Sequence, residues 1–196
     1  MKKFHEQSLA LAFSLPENFI FCRSMSPHIF KATKQDAHQL SNLVNSAYRG
    51  ESSKQGWTTE ADLLDGTRTT QELMEEILQR QDTTILKYVN DHTILACVEL
   101  RQSDEKLYLG MLTVSPSMQS KGLGKDMLKA AEAEAKALGC RSIFMTVISV
   151  RQELIEWYQR HGYADTGQRK PFVLPDERWG IPKKKLEFMV LEKGLV

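Results

Sequence analysis

The sequence lacks the features that mark several large classes of protein. Its three cysteines, Cys22, Cys97 and Cys140, form no CxxC pair, which excludes a disulfide framework and a cysteine zinc site. Cys97 and Cys140 adjoin apolar residues and are expected in the core. No apolar run approaches the roughly 18 residues of a membrane span. The 26 Lys and Arg residues nearly balance the 25 Asp and Glu residues, so no broad nucleic-acid-binding surface is expected. These absences predict a cytoplasmic protein without metal, membrane or nucleic-acid partners.

The first 27 residues also lack the pattern of a secretory signal. Two lysines precede an apolar stretch, but Glu6 and Pro16 interrupt it and no small-residue cleavage site follows. We therefore expect residues 1–27 to be an N-terminal extension. Residues 28–196 are expected to form one domain, which is long enough to bury a hydrophobic core.

Hydrophobic periodicity predicts the order strand, helix, helix, three strands, helix, strand, helix and two strands. The first strand is expected at residues 28–36. The three consecutive strands, between residues 83 and 114, predict an antiparallel meander, with Asp91–His92 as a two-residue hairpin turn. A helix at about 122–138 then leads to the next strand, which gives a strand–helix–strand crossover. The sequence thus predicts a single α/β domain with a mixed central sheet flanked by helices.

A glycine-containing turn, QSKGLGK at residues 119–125, lies between a predicted strand and the helix that follows. Gly122 and Gly124 let a ligand approach the backbone closely, and free N–H groups at a helix N-terminus attract phosphate. A dinucleotide fingerprint fails because Met127 replaces its third glycine, and a P-loop fails because Asp126 follows the GK pair. A plain connecting loop is the alternative to an anion-binding site.

Two segments carry a family resemblance. Residues 119–124 match the motif Q/R-x-x-G-x-G/A, and RQELIEWYQRHGY at 151–163 is similar to a second family segment, with Arg151 at its usual asparagine. The chain resembles the GNAT superfamily of N-acetyltransferases over about residues 28–193. The resemblance implies a GNAT-like fold, acetyl-CoA as co-substrate and no metal. It further implies that the pyrophosphate of acetyl-CoA is bound by Gln119, Ser120, Lys121, Gly122, Leu123, Gly124 and Lys125.

The same resemblance implies roles at the reaction centre and along the cofactor. Tyr158 corresponds to the family's general acid, which protonates the leaving thiolate, and Arg151 would contact coenzyme A. Glu99, in an otherwise apolar strand, is a candidate general base. Each has a structural alternative, because Tyr158 also fits an apolar helix face, and Glu99 and Arg151 fit solvated surfaces. The pantetheine arm would pair with backbone groups of Leu112, Thr113 and Val114.

The loop after the first predicted helix is expected to line the acceptor pocket, as it usually does in this superfamily. It supplies aromatic rings, a cation and a carboxylate through Tyr48, Arg49, Trp57 and Glu60. Arg49 would suit a substrate carboxylate. Glu60 would pair with an ammonium group, or belong to a helix capped by Thr58 or Thr59. The late loop that contains Trp179 is expected to fold over the acceptor side.

These features predict an enzyme that transfers an acetyl group from acetyl-CoA to a primary amine of a small molecule. The first alternative is an enzyme that acetylates protein lysines or N-termini. The second is a non-catalytic module that binds acyl-CoA as a sensor. The intact glycine turn and the presence of Tyr158 favour catalysis over the sensor. The resemblance is also compatible with a homodimer, since dimers are common in this superfamily, but it does not fix the oligomeric state.

Overall fold

The computed structural model describes residues 28–174 and 177–195, so the predicted extension at 1–27 lies outside the described residues. Within them, the main helices and strands follow the predicted order, with short additional elements between them. The elements are β1 (Ile29–Lys31), α1 (Ala37–Tyr48), α2 (Gly50–Ser53), β2 (Leu64–Asp65), α3 (Gln71–Leu78), β3 (Thr83–Asn90), β4 (Thr93–Ser103), β5 (Lys106–Val114), α4 (Leu123–Ala137), β6 (Ser142–Ile148), α5 (Gln152–Arg160), β7 (Ala164–Pro171), β8 (Ile181–Pro182) and β9 (Glu187–Gly194).

Seven strands form one mixed sheet in the order β1-β3-β4-β5-β6-β9-β7. All neighbouring pairs are antiparallel except β5 and β6, which are parallel and connected through α4. Asp91 and His92 join β3 to β4 with positive φ angles of 46° and 63°, as a two-residue type I′ turn requires. The predicted meander, crossover and mixed α/β sheet are confirmed.

The sheet carries a hydrophobic cluster on each face. On one face, α1 and α3 pack against β3 and β4 around Leu40 and Ile85. On the other face, α4 and α5 pack around Met127. Side chains alternate along β4, so Ala96 belongs to the α4 cluster and Cys97 to the α1 cluster. Cys97 and Cys140 are buried free thiols, which confirms their predicted place in the core.

β5 and β6 separate after only three paired residues. Lys106–Tyr108 pair with Ser142–Phe144, and no later residue of these two strands pairs between them. β5 also bulges between Gly110 and Thr113, where Met111 has a positive φ of 49°. The second half of β5 therefore presents an unpaired backbone edge inside the sheet.

The structure corrects three local expectations. The first strand covers only Ile29–Lys31, and a capping box closes a 3-10 turn at Lys34–Asp36. Residues 58–60 do not begin a helix, because Thr59 Oγ1 accepts the Ala61 N–H at 3.3 Å and closes a turn instead. β2 and β8 form an additional two-stranded sheet.

None of the helices in the described ranges is long and apolar enough to cross a membrane. The described side chains form no cluster of three or more groups able to hold a metal ion.

Candidate functional site

A large cleft of about 650 Å³ lies between the unpaired edge of β5, the first turn of α4, and α5. The Trp57–Thr58 segment, which follows α2, closes one side of it. Seven of the predicted cofactor residues line this large cleft: Leu112, Val114, Gln119, Ser120, Gly122, Gly124 and Lys125.

The glycine turn begins α4 through two residues in the left-handed region. Gly122 is the N-cap with φ 88°, and Ser120 has φ 62°. The first N–H groups of a helix have no intrahelical partner, and here they lie where Gly122 and Lys125 line the large cleft. Two of the residues predicted to bind the pyrophosphate do not line the large cleft: the Lys121 side chain is exposed, and Leu123 is buried in the core.

Gly124 lets α4 approach α5 closely. A Cβ atom at this position would lie 3.3 Å from Cζ2 of Trp157. The Trp157 ring lies 4.4 Å from the His161 ring and 6.0 Å from the Trp57 ring, measured between centroids, so the three rings form one aromatic wall of the large cleft. The i, i+4 spacing of Trp157 and His161 could have predicted that these two rings lie on the same face of a helix. Five lining residues in and just after α5 were not predicted: Glu153, Leu154, Trp157, Arg160 and His161.

Gln119 and Arg151, both predicted to contact the cofactor, hold the Trp57–Thr58 segment in place. The Gln119 side chain accepts the Trp57 N–H at 2.9 Å and donates to Thr58 Oγ1 at 2.9 Å. Arg151 is 5% exposed and donates to the carbonyl oxygens of Trp57 and Thr58, each at 3.3 Å. Gln119 lines the large cleft, whereas Arg151 lines a second space beside it.

The unpaired edge of β5 offers backbone groups to a ligand. Leu112 and Val114 line the large cleft. Thr113 is almost fully buried, and its hydroxyl donates to the Met111 carbonyl at 2.9 Å. The Thr113 side chain is therefore not available to a ligand. What this part of β5 offers is its backbone, through the N–H and C=O groups that a neighbouring strand would otherwise pair.

Tyr158 lies where the large cleft meets a small pocket of about 120 Å³. Tyr158 is 6% exposed, and burial raises the pKa of its hydroxyl well above the ordinary value, so the hydroxyl stays protonated at neutral pH. The Tyr48 hydroxyl donates to the Leu112 carbonyl at 2.6 Å, and burial raises the pKa of Tyr48 to about 12. This hydrogen bond ties α1 to the bulge of β5. Four side chains line both spaces: Tyr48, Leu112, Leu154 and Tyr158.

The small pocket contains a buried cluster of charged side chains. Arg49 Nη1 donates to Glu60 Oε2 at 2.5 Å, and Arg68 Nε lies 3.9 Å from the same oxygen. Arg49 and Glu60, predicted as separate substrate-binding groups, thus pair with each other. Arg68 was not predicted, because its polar loop has no periodicity and no motif. Its guanidinium lies 5.8 Å from the centroid of the Tyr48 ring.

The rest of the small pocket is mainly apolar and aromatic. Its lining includes Tyr108, Met145, Phe172 and Phe188, and the late loop contributes Trp179. Trp57, predicted to line the acceptor pocket, lines the large cleft instead.

Glu99 lies beside the small pocket without lining it. Its Oε2 atom would be 3.4 Å from a Cβ at Gly110, which does line the pocket. Burial raises the pKa of the Glu99 carboxyl, although the charges of Arg101, Arg80 and Arg68 oppose that shift. Among the described residues the carboxylate has no hydrogen-bond or ion-pair partner. A general base active near neutral pH needs such a raised pKa.

Sequence comparison identifies one family. The family model described as "Acetyltransferase (GNAT) family" matches residues 38–163, more than half of the chain. The chain is also 28% identical over 122 residues to an amino-acid acetyltransferase of Azotobacter vinelandii. That match covers 61% of this chain but only 27% of the relative, so the chain spans about a quarter of that protein's length.

Solved structures share the fold. An N-acetyltransferase from Staphylococcus aureus superposes with a TM-score of 0.65 at 15% identity, covering 85% of this chain and 96% of that chain. The PaiA N-acetyltransferase of Thermoplasma acidophilum, solved in complex with coenzyme A, superposes with a TM-score of 0.62 at 19% identity, covering 87% of this chain and 99% of that chain. At these identities the similarity concerns the fold alone. Because the family model also matches across α1 to α5, the chain belongs to the acetyltransferase (GNAT) family.

Proposed function

We propose that this chain transfers an acetyl group from acetyl-CoA to a primary amine of a small molecule. The observation that carries this proposal is the junction where Tyr48, Leu112, Leu154 and Tyr158 line both the large cleft and the small pocket. Two ligands, one in each space, would meet beside the buried Tyr158 hydroxyl. Transfer between two bound molecules is fast when the protein holds them in contact in this way.

The large cleft suits acetyl-CoA in size and chemistry. Its volume of about 650 Å³ is within the usual range for small-molecule sites. The N-terminus of α4, with Lys125 beside it, offers donors to a pyrophosphate, and the edge at Leu112–Val114 offers partners to the amides of a pantetheine arm. Gln119 and Arg151 would act by holding the Trp57–Thr58 segment against the cofactor. The coenzyme A bound by the T. acidophilum relative supports this assignment.

Bound acetyl-CoA supplies an acetyl group activated as a thioester. In the transfer, a nitrogen–carbon bond forms and the carbon–sulfur bond breaks, so the amine loses a proton and the sulfur gains one. Tyr158 carries a proton at neutral pH and lies at the junction, which suits donation to the sulfur. Glu99, beside Gly110, would take the amine proton through a water molecule. The bulge at Met111 would supply a backbone N–H to the acetyl oxygen.

The size of the small pocket favours a small acceptor. Its volume of about 120 Å³ approaches the roughly 150 Å³ of a cavity that holds benzene. A protein segment would need a longer, open groove. The name of the A. vinelandii relative, an amino-acid acetyltransferase, also supports a small acceptor.

The test is release of free thiol from acetyl-CoA in the presence of amino acids, polyamines, aminoglycosides and lysine peptides. Binding of acetyl-CoA is followed in the same samples by the shift of the unfolding temperature. We expect binding, and thiol release with one class of small amines. Release with lysine peptides alone would favour the protein acetyltransferase, and binding without release from any amine would favour the sensor. Absence of binding would contradict the assignment of the large cleft.

A further inference from the structure

We propose that the acceptor amine also carries a carboxylate, which Arg49 and Arg68 bind in the small pocket. This inference rests on the proposed function, because it assumes that the small pocket holds the acceptor. It names the class of acceptor as small amino acids with apolar side chains.

The charges of the small pocket do not balance. The single carboxylate of Glu60 serves two guanidinium groups, at 2.5 Å from Arg49 Nη1 and 3.9 Å from Arg68 Nε. Arg151 also lines the pocket, but its guanidinium is already satisfied by Glu153 and by two backbone carbonyls. Glu60 is thus the one carboxylate among the lining residues for these two guanidinium groups. Glu99, whose pKa burial raises and the charge of Arg68 lowers, lies beside the pocket without an ion pair to either arginine. A bound anion would give the two guanidinium groups a second negative charge within the pocket.

The hydrogen bonds of the two arginines are also incomplete. Arg49 is 7% exposed, and Nε atoms of both Arg49 and Arg68 are buried without a hydrogen-bond partner in the described part of the chain. A buried N–H group without a partner is costly, and folded proteins rarely keep one without a reason. A guanidinium presents its donors in a planar fork that matches a carboxylate. Because the two Nε atoms are inaccessible to solvent, an acceptor carboxylate would accept from the outer Nη groups of Arg68, which make no hydrogen bond within the described residues. It would also offset the positive charge around the unpaired Nε groups.

The remaining walls define the rest of the acceptor. Tyr108, Phe172, Trp179 and Phe188 surround an apolar space, and Tyr158 stands at its junction with the large cleft. An α-amino acid fits this arrangement, with its carboxylate at the arginines, its amine toward the junction and its side chain among the aromatic rings. Polyamines fit poorly, because the arginines repel additional positive charge.

The experiment uses matched acceptors that differ only in the carboxylate. Leucine, leucinamide and 3-methylbutylamine share the same alkyl group, and phenylalanine, phenylalaninamide and phenethylamine form a second set. Binding to the full chain with coenzyme A present is measured by calorimetry, and acetyl transfer by thiol release. We expect at least one amino acid to be preferred over its two neutral-ended analogues by about 100-fold in kcat/KM and in affinity, since an unmatched buried polar group discriminates strongly.

The variant that tests the site is Arg68→Gln, because Arg68 is less buried than Arg49 and its loss leaves the Arg49–Glu60 pair intact. We expect it to reduce the preference for the carboxylate by about 10- to 100-fold while coenzyme A affinity is unchanged. Arg68→Lys keeps the positive charge but loses the planar fork of donors. Its preference for the carboxylate should lie between those of the parent chain and Arg68→Gln. Arg141→Gln is the matched control, because Arg141 is exposed and pairs with the exposed Glu105 at the opposite end of β5.

The outcomes separate this inference from the proposed function. Transfer to amines with no preference for a carboxylate, or a preference that survives Arg68→Gln, would overturn the inference and leave the acetyltransferase intact. Binding of amino acids that depends on Arg68 but gives no thiol release would support the carboxylate site and contradict the proposed catalysis. If neither amino acid binds or reacts, the inference is overturned.

Discussion

The large cleft and the small pocket differ in the groups that they offer to a ligand. The large cleft offers backbone groups from the unpaired edge of β5 and the first turn of α4, and most of its residues lie at 112–125 and 153–161. The small pocket draws on segments spread between Tyr48 and Phe188, and its charged groups are side chains that depend on one another. A backbone site keeps its donors through most side-chain changes, whereas a side-chain site changes its ligand with a single substitution. Under the proposed function, the fold would therefore fix the co-substrate and leave the acceptor adjustable.

The sharpest test of the junction between the two regions is Tyr158→Phe. We expect kcat to fall by about 100- to 10,000-fold, since a proton donor is lost, while acetyl-CoA affinity and stability change little. Tyr163→Phe is the control, because Tyr163 is equally buried and contacts the Tyr158 ring but does not line the large cleft. Stopped-flow thiol release and calorimetry give the two readouts. Unchanged turnover in the Tyr158 variant would return this residue to a purely structural role.

Gly122→Glu tests the large cleft alone, at the N-terminus of α4. Gly122 and Gly139 both have positive φ, at 88° and 73°, and an added Cβ would meet no atom within 4 Å at either position. Both substitutions to Glu therefore cost similar backbone strain, about 1–2 kcal/mol. Only Gly122 lies at the N-terminus of α4, where a carboxylate would repel the pyrophosphate. We expect acetyl-CoA affinity to fall about 100-fold in Gly122→Glu and to stay unchanged in Gly139→Glu. Equal losses would show that strain, and not charge at the helix end, controls binding.

Glu99→Gln tests the proposed general base beside the small pocket, through the dependence of stability and activity on pH. Because burial raises the pKa of Glu99, the folded chain binds this proton more tightly than the unfolded chain does. Stability is therefore lost as the pH rises from the ordinary glutamate pKa through the raised one, and Glu99→Gln removes that loss. We expect the variant to unfold at a higher temperature than the parent at pH 7, with no difference below about pH 4, near the ordinary glutamate pKa. Its kcat/KM should fall by about 100-fold, the lower end of what a general base contributes, and its pH profile should lose the acidic limb.

The control for Glu99→Gln is Glu105→Gln, since Glu105 is an exposed carboxylate paired with Arg141. It should change neither the unfolding temperature at pH 7 nor the pH profile of kcat/KM. A stabilised Glu99 variant with full activity at every pH would make Glu99 a buried residue without a catalytic role.

Local patterns made much of the fold and the large cleft predictable. Asp91–His92 forms the expected turn because two residues between alternating strands leave few backbone solutions. α4 begins at Leu123, directly after Gly122, because Gly122 takes a positive φ that few other residues adopt. These signals lie within a few residues of one another, so the sequence alone contains them.

The small pocket was less predictable because its contacts join distant segments. Arg49 and Glu60 each looked suited to a ligand, but the loop between α1 and α3 folds them onto each other. Arg151 occupies a position that the family resemblance assigned to the cofactor, yet its guanidinium reaches the carbonyl of Trp57, 94 residues earlier. Which partner a charged side chain chooses depends on packing that no local pattern encodes.

The separation of β5 from β6 has a thermodynamic consequence. Backbone pairing with β6 stops at Tyr108, so Leu109–Val114 make no hydrogen bonds of the sheet on the side that faces β6. A co-substrate that fills this gap binds only the folded chain, and at 100 times its dissociation constant it would raise the free energy of unfolding by about 2.7 kcal/mol. The folded fraction, and with it the lifetime of the chain against proteases, would then rise and fall with the supply of acetyl-CoA.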